Sequence, residues 1–231
     1  MGSAFHLQQI IERYVPLLDA ETVEFLDRAV ERIVACKRDN RKVVVATGSG
    51  PNLHEGVTTL IAELMTKGVI DGILTSSAVI AHEMAGTLDK VKRMDGRQLG
   101  FGADVLPKGF TSELTEMADA ELDVLRHELE LDDDLLARCH QAEGQTIIKA
   151  AGNMAYPMGL RSERLAREIM TIAHAYGLPF ETVAGWGADP RTMIGAGARH
   201  GLPVLVSVPQ LVGGGAVGLA IADSTTITQR S

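Results

Sequence analysis

Chemistry on an amine needs a base near the nitrogen and a carboxylate to hold the ammonium form. The adjacent His82 and Glu83 supply both types: the imidazole as base, the carboxylate as ammonium partner. They follow an apolar run over 69–75 and open a helical pattern over 79–88. Neighbouring side chains one turn into a helix point in different directions, so a capping or solvated pair is the alternative reading. His54 and Glu55 stand in a similar place after an earlier apolar run. Two His-Glu pairs on neighbouring turns could build a metal site. The spacing is not HExxH, however, and no Cys or Asp lies beside them to complete a shell, so no metal is expected.

Further candidates lie downstream. Asp104 and Lys108 fall in a glycine-rich, charge-mixed stretch over 90–110 with no periodicity. Such a stretch reads as a lid, and a closing lid can carry a charge to a substrate; a solvated loop charge is the alternative. Asn153 and Tyr156 are polar groups on one later turn. Arg161, at the helix start that follows, has the fork to clamp a carboxylate or phosphate. Ser162 and Glu163 there can equally be plain helix caps.

The elements that would position these groups are organised around 42–53, KVVVATGSGPNL. Val43, Val44, Val45 and Ala46 read as a strand buried on both faces. Gly48, Ser49, Gly50, Pro51 and Asn52 form a small-residue turn, and 53–67 has helical spacing closed by Gly68. Strand, glycine turn and helix let backbone amides approach a phosphate. The third glycine of the usual dinucleotide fingerprint is replaced by Pro51-Asn52, so a ligand-free tight turn is the alternative. A second strand over 69–75 ends in Thr75, with Ser76, Ser77 and Ala78 as its turn. The reading continues with an acidic helical hairpin over 112–142 and strands over 145–151, 180–184 and 203–208. The last is followed by the cluster Gly213, Gly214 and Gly215. Alternation of this kind predicts one mostly parallel sheet with helices on both faces. The fold class is therefore α/β, Rossmann-like, over a single domain of residues 1–231, with N-terminal helices over 1–40 and an inserted lid and hairpin over 90–142. Asp19 is the expected N-cap of the second N-terminal helix, and Asp189 that of a helix over 190–200. Five turns would line the carboxyl edge of the sheet, where ligands of such sheets bind.

Composition agrees with a small-molecule protein. Of 231 residues, 24 are glycine, and aromatics make up only 4%. The net charge of −8 argues against non-specific nucleic-acid or anionic-membrane binding. No apolar stretch has the length to span a bilayer. Cys36 and Cys139 are far apart in helical patterns, as in the reduced, buried thiols of a cytoplasmic protein.

Three stretches resemble the deoxyhypusine synthase-like NAD-binding proteins, a group that includes the NAD-dependent ornithine cyclodeaminase domain. The first is Thr47-Gly48-Ser49-Gly50-Pro51-Asn52-Leu53 with Gly56, where the synthases have a Ser-Asn-Leu turn and a following glycine. The second runs over 69–83, VIDGILTSSAVIAHE, with His82-Glu83 where the cyclodeaminase type has His-Asp. The third runs over 198–218, ARHGLPVLVS through Gly218, and is similar to the synthase stretch around its "DGSLG" turn. The resemblance covers residues 42–90 and 190–223. It implies NAD held by the turns after the first, second and last strands, at Gly48 to Leu53, at Thr75, Ser76 and Ser77, and at Gly213 to Gly215. It also implies a homo-oligomer, often a tetramer. Two departures matter. The catalytic lysine of the synthases follows a Trp-Gly pair near the C-terminus, whereas here Trp186-Gly187 precedes Ala188 in a different place, so synthase activity is not expected. The family's acidic turn is Val212-Gly213-Gly214-Gly215 here, which moves any substrate-amine ligand to Asp223.

The expected function is an NAD enzyme acting on an amino acid or amine by net or transient hydride transfer. The alternatives are a nucleotide-binding module without catalysis, and a metal-dependent hydrolase built on the two His-Glu pairs.

Overall fold

A computed structural model describes residues 12–48, 57–84, 88–150, 155–208 and 215–224. The chain divides into two compact units, 1–43 and 44–231. The first unit contains helix α1 (Ala20–Arg38). Asp19 caps it as expected: its carboxylate accepts from the Thr22 amide at 2.7 Å, and Lys37 and Arg38 lie in its last turn, where positive charge suits the helix dipole. No residue of α1 is buried.

The second unit holds a parallel sheet made of β1 (Val44–Ala46), β2 (Gly72–Ser76) and β6 (Val204–Val208), in the order β1-β2-β6. Val44 pairs with Gly72, and Ile73 with Val204. Helix α2 (Val57–Thr66) follows β1, helix α3 (Ser77–Met84) follows β2, and helix α9 (Gly215–Ser224) follows β6. One row of the sheet, Ile73 with Val204 and Val206, is buried; the neighbouring row, Leu74 with Leu205, is exposed.

Between α3 and the helices that lead to β6 lies a second sheet. It is antiparallel, in the order β4-β3-β5, with β3 (Leu88–Asp95), β4 (Thr111–Thr115) and β5 (Gly144–Ala150). Helices α4 (Asp119–Glu128) and α5 (Asp133–Gln141) join β4 to β5. Met94, Leu99, Leu114, Leu136 and Cys139 form the core between sheet and hairpin. On β3 and its neighbours, the Glu113 carboxylate is held by Arg93 at 2.8 Å and Lys149 at 2.5 Å. Burial pushes that carboxyl up, but the two cations outweigh it and leave it below its ordinary value.

Helix α6 (Met158–Tyr176) leads to α7 (Phe180–Gly187), α8 (Met193–His200) and β6. Gly68, Gly177 and Gly201 all sit at positive φ, and the last two close α6 and α8 in the left-handed conformation.

Four expectations are corrected. The stretch over 90–110 is not a structureless lid: it holds most of β3 and a short 3-10 turn at Gly96–Leu99. The segment over 112–142 is helical only from Asp119 onward, because 111–115 is a strand. The strand expected over 180–184 is α7, since Pro179 sets an extended N-cap and Glu181 falls in the first turn. The single mostly parallel sheet is two sheets, because β5, the strand expected over 145–151, pairs antiparallel with β3. Three strands, not five, therefore end at one carboxyl edge.

Candidate functional site

The carboxyl edge of the parallel sheet holds the ends of three strands, at Ala46, Ser76 and Val208. All three strands are parallel, so the segments after β1, β2 and β6 leave from the same edge. β2 lies in the middle, and α3 starts at Ser77 directly after the last strand residue, Ser76. The amides of the first turn of α3 carry the positive end of its dipole. The strand register slips between Thr75 and Ser76, and slips of this kind re-aim side chains beside functional sites.

Thr75 and Ser76 are each 3% exposed. Among the described residues, the Thr75 Oγ1 and Ser76 Oγ hydroxyls have no hydrogen-bond partner. A buried hydroxyl without a partner costs about 1–3 kcal/mol. Two in succession, at the end of a central strand and the start of a helix, are polar groups that none of the described residues satisfies. Phosphate or ribose oxygens fit such donors. At the neighbouring end of β1, Gly48 has open space where a side chain would project.

Glu83 has a different position from the one its type suggests. It is fully buried, so it presents no surface to a substrate. Its Oε1 accepts from the Met193 amide and its Oε2 from the Ile194 amide, both at 2.9 Å. The Thr58 hydroxyl also donates to Oε1. One carboxylate thus joins the last turn of α3, the first turn of α2 and the N-terminus of α8. It complements the dipole of α8 and satisfies two amides that have no partner inside that helix. Burial pushes the Glu83 carboxyl up, against the opposing pull of the Thr58, Met193 and Ile194 donors. Through α3, Glu83 sets the position of the helix N-terminus at Thr75 and Ser76; we describe it as a positioning residue. Thr192, not Asp189, is the N-cap of α8: its hydroxyl accepts from Gly195 at 3.1 Å. Asp189 caps the preceding turn through the Arg191 amide at 2.9 Å.

The other candidates are dispersed. His82 is half-buried on α3. Asp104 lies in an exposed turn between Leu99 and β4. Arg161 pairs with Glu128 at 3.1 Å. Tyr156 lies against β4, donating its amide to the Glu113 carbonyl at 2.9 Å, and its phenolic oxygen accepts from the Asp132 amide at 2.8 Å. It lines a cavity of about 540 Å3 together with Leu99, Phe101 and Cys139. Asp223 lies in α9. Ser49, Gly50, Pro51, Asn52, Leu53, His54, Glu55, Asn153, Gly213 and Gly214 lie outside the described residues.

Sequence reasoning missed Thr58 and the Met193 and Ile194 amides as the partners of Glu83. No local pattern announces them, since they come from 25, 110 and 111 positions away. Among the described residues, no group of three His, Cys, Asp or Glu side chains could hold a metal ion, and no helix is long and apolar enough to cross a membrane. No protein-family model matches the chain, and no curated protein matches it.

Proposed function

We propose that the chain is a Rossmann-like NAD-binding enzyme of the deoxyhypusine synthase-like type, acting on an amino acid or amine by hydride transfer. The observation that carries the reading is the pair of buried hydroxyls at Thr75 and Ser76, which have no partner among the described residues. They stand at the carboxyl end of the central parallel strand and at the N-terminus of α3, the place where open α/β sheets take ligands. In this reading Thr75, Ser76 and the first amides of α3 hold the pyrophosphate. The glycine turns after β1 and β6, including Gly48, Gly213, Gly214 and Gly215, give the dinucleotide close approach to the backbone. NAD supplies the hydride acceptor. His82 is the base nearest in sequence to this edge, and Glu83 fixes the helix that carries it.

A second reading, a nucleotide-binding module without catalysis, draws on one observation: Asp104 and Arg161 have partners or places of their own and Glu83 is buried, which leaves few acid-base groups for turnover.

Titration with NAD during thermal unfolding tests the shared premise. A ligand at about 100 times its dissociation constant adds about 2.7 kcal/mol, which is several degrees for a chain of this size. A melting temperature unmoved by millimolar NAD removes both readings. Thr75→Val and Ser76→Ala make a sharper test, because each deletes a hydroxyl that has no partner among the described residues. Without ligand, each variant keeps its stability or gains up to about 1 kcal/mol. With ligand, the NAD affinity measured by calorimetry falls about tenfold. Loss of stability without loss of affinity would assign the hydroxyls to the fold. Incubation with ornithine, lysine and polyamines, followed by NADH absorbance and by ammonia release, then separates enzyme from module.

A further inference from the structure

The antiparallel half of the second unit holds a cavity of about 540 Å3, within the size range of small-molecule pockets. Among the described residues, none that lines it belongs to the parallel sheet or to the helices that follow its strands. The floor is apolar. Leu99 there is 1% exposed and Cys139 2%, and Leu135 of α5 closes one side. Burial pushes the Cys139 thiol up, so its sulfur is uncharged at neutral pH. Two aromatic residues line the same space. The Tyr156 ring is fixed, because its phenolic oxygen accepts from the Asp132 amide at 2.8 Å. Phe101 is 39% exposed and stands at the mouth. The loop that carries it begins at Gly100 and ends at Gly109 and Phe110, all at positive φ. That conformation is costly for a phenylalanine. Phe110 is anchored there: the Gly96 amide donates to its carbonyl at 2.7 Å, and the Arg97 guanidinium lies 4.4 Å from its ring centre.

The charges around the cavity are matched within the chain. Glu113 is the one charged residue among the described lining residues, and Arg93 at 2.8 Å and Lys149 at 2.5 Å hold its carboxylate. Nearby, Arg97 pairs with Asp95 and Arg138 with Asp134. Thr111 and Ser112 bring hydroxyls to the β4 wall. We propose that this cavity is a second ligand site, for an uncharged aromatic molecule with one hydrogen-bonding substituent. Phe101 and Tyr156 give its ring offset or edge-to-face contacts, the thiol adds a sulfur–ring contact, and the β4 hydroxyls bond its polar atom. An anion would lose its hydration with no unmatched cation to replace it. An alkyl chain would fill the space but forgo the ring contacts.

N-phenyl-1-naphthylamine, an uncharged probe that brightens in apolar surroundings, tests the site on the full chain. Saturable binding of one probe per chain in the micromolar range is expected. Phe101→Ala should weaken it at least about tenfold with the melting temperature unchanged, since that ring is partly exposed. Leu135→Phe should weaken it as much by filling the space, again without lowering the melting temperature. 1-Naphthol should displace the probe at least about tenfold better than 1-naphthoate, its charged counterpart, or 1-decanol. Saturating NAD should leave the probe in place whether or not the nucleotide binds elsewhere. The proposal is overturned by an absence of saturable binding, or by binding that both substitutions leave unchanged. Loss of binding in Trp186→Ala instead, which seats the probe beside α7, also overturns it. So does displacement by NAD, or by 1-naphthoate or 1-decanol as readily as by 1-naphthol.

Discussion

Glu83→Ala should lower stability by about 3–5 kcal/mol, which for a chain of this size is roughly 6–20 °C in melting temperature. The substitution removes the acceptor for the Met193 amide, the Ile194 amide and the Thr58 hydroxyl at once. Each buried donor left without an acceptor costs about 1–3 kcal/mol; water admitted to the space left behind recovers part of the sum. The residue is fully buried, so the space is real and the carboxylate cannot be replaced by solvent already present. Glu83→Gln keeps the volume and one acceptor oxygen but turns an NH2 group toward one of the amides. Its cost should be about half as large. Chemical unfolding of the three proteins gives the comparison, and an alanine variant within 1 kcal/mol of the parent would show that the three-helix tie has no energetic weight.

The pH dependence of the same pair follows from the direction of the Glu83 shift. Burial is the largest influence and raises the carboxyl above its ordinary value of 4.5, so the folded chain binds this proton more tightly than the unfolded chain. The carboxyl therefore contributes stability in full below about pH 4.5, and that contribution is lost as the pH rises through the raised folded value. Glutamine has no such proton. The stability of the parent relative to Glu83→Gln should be greatest below pH 4.5 and shrink as the pH rises. An advantage that instead grows with pH would mean that the amide and hydroxyl donors outweigh burial.

Much of the parallel half of the molecule is legible in the sequence, for local reasons. The runs at Val43 to Ala46 and over 69–75 are apolar and bounded by turn residues, while Asp19, Gly177 and Gly201 bound helices by chemistry confined to one turn. The first strand is not, however, buried on both faces as expected, since Val44 is 60% exposed. The antiparallel sheet is hidden for an equally physical reason. In β3, Lys90, Lys92 and Arg93 surround Val91 and Met94, because the Lys92 stem runs beneath the hairpin to give its ammonium to the Cys139 and His140 carbonyls. A charged residue that serves an inward face breaks the alternation by which a strand is recognised. Phe180 to Gly187 fails in the opposite way. Its Thr182 and Val183 are β-branched, yet Gly185 lets α7 approach the Ile194 carbonyl so closely that helix packing overrides strand propensity. The role of Glu83 was beyond any local reading, since its amide partners come from the far end of the chain.

That close packing makes Gly195→Ala the most informative substitution away from Glu83. A methyl group at Gly195 would run into the Asp189 carbonyl and lie 3.1 Å from the Ala188 carbonyl. Neither is the yielding end of a side chain. The Asp189 carbonyl already accepts from the Thr192 amide at 2.9 Å and its hydroxyl at 2.6 Å, so moving it breaks the cap of α8. The expected cost is about 2 kcal/mol, even after the roughly 1 kcal/mol that alanine brings to a helix interior. Gly187→Ala is the control, because nothing lies within 4 Å of its added methyl; it should be neutral or slightly stabilising. The two substitutions thus have the same chemistry and different outcomes. A displaced α8 N-terminus also pulls the Met193 and Ile194 amides away from Glu83, so part of the Gly195→Ala cost is the loss of that tie. In Glu83→Ala the tie is already gone. The double variant should therefore lose less than the sum of the singles, by about 1 kcal/mol or more. Strict additivity would mean that α8 absorbs the methyl without moving its first turn, and that Glu83 and the Asp189 turn hold the helix independently.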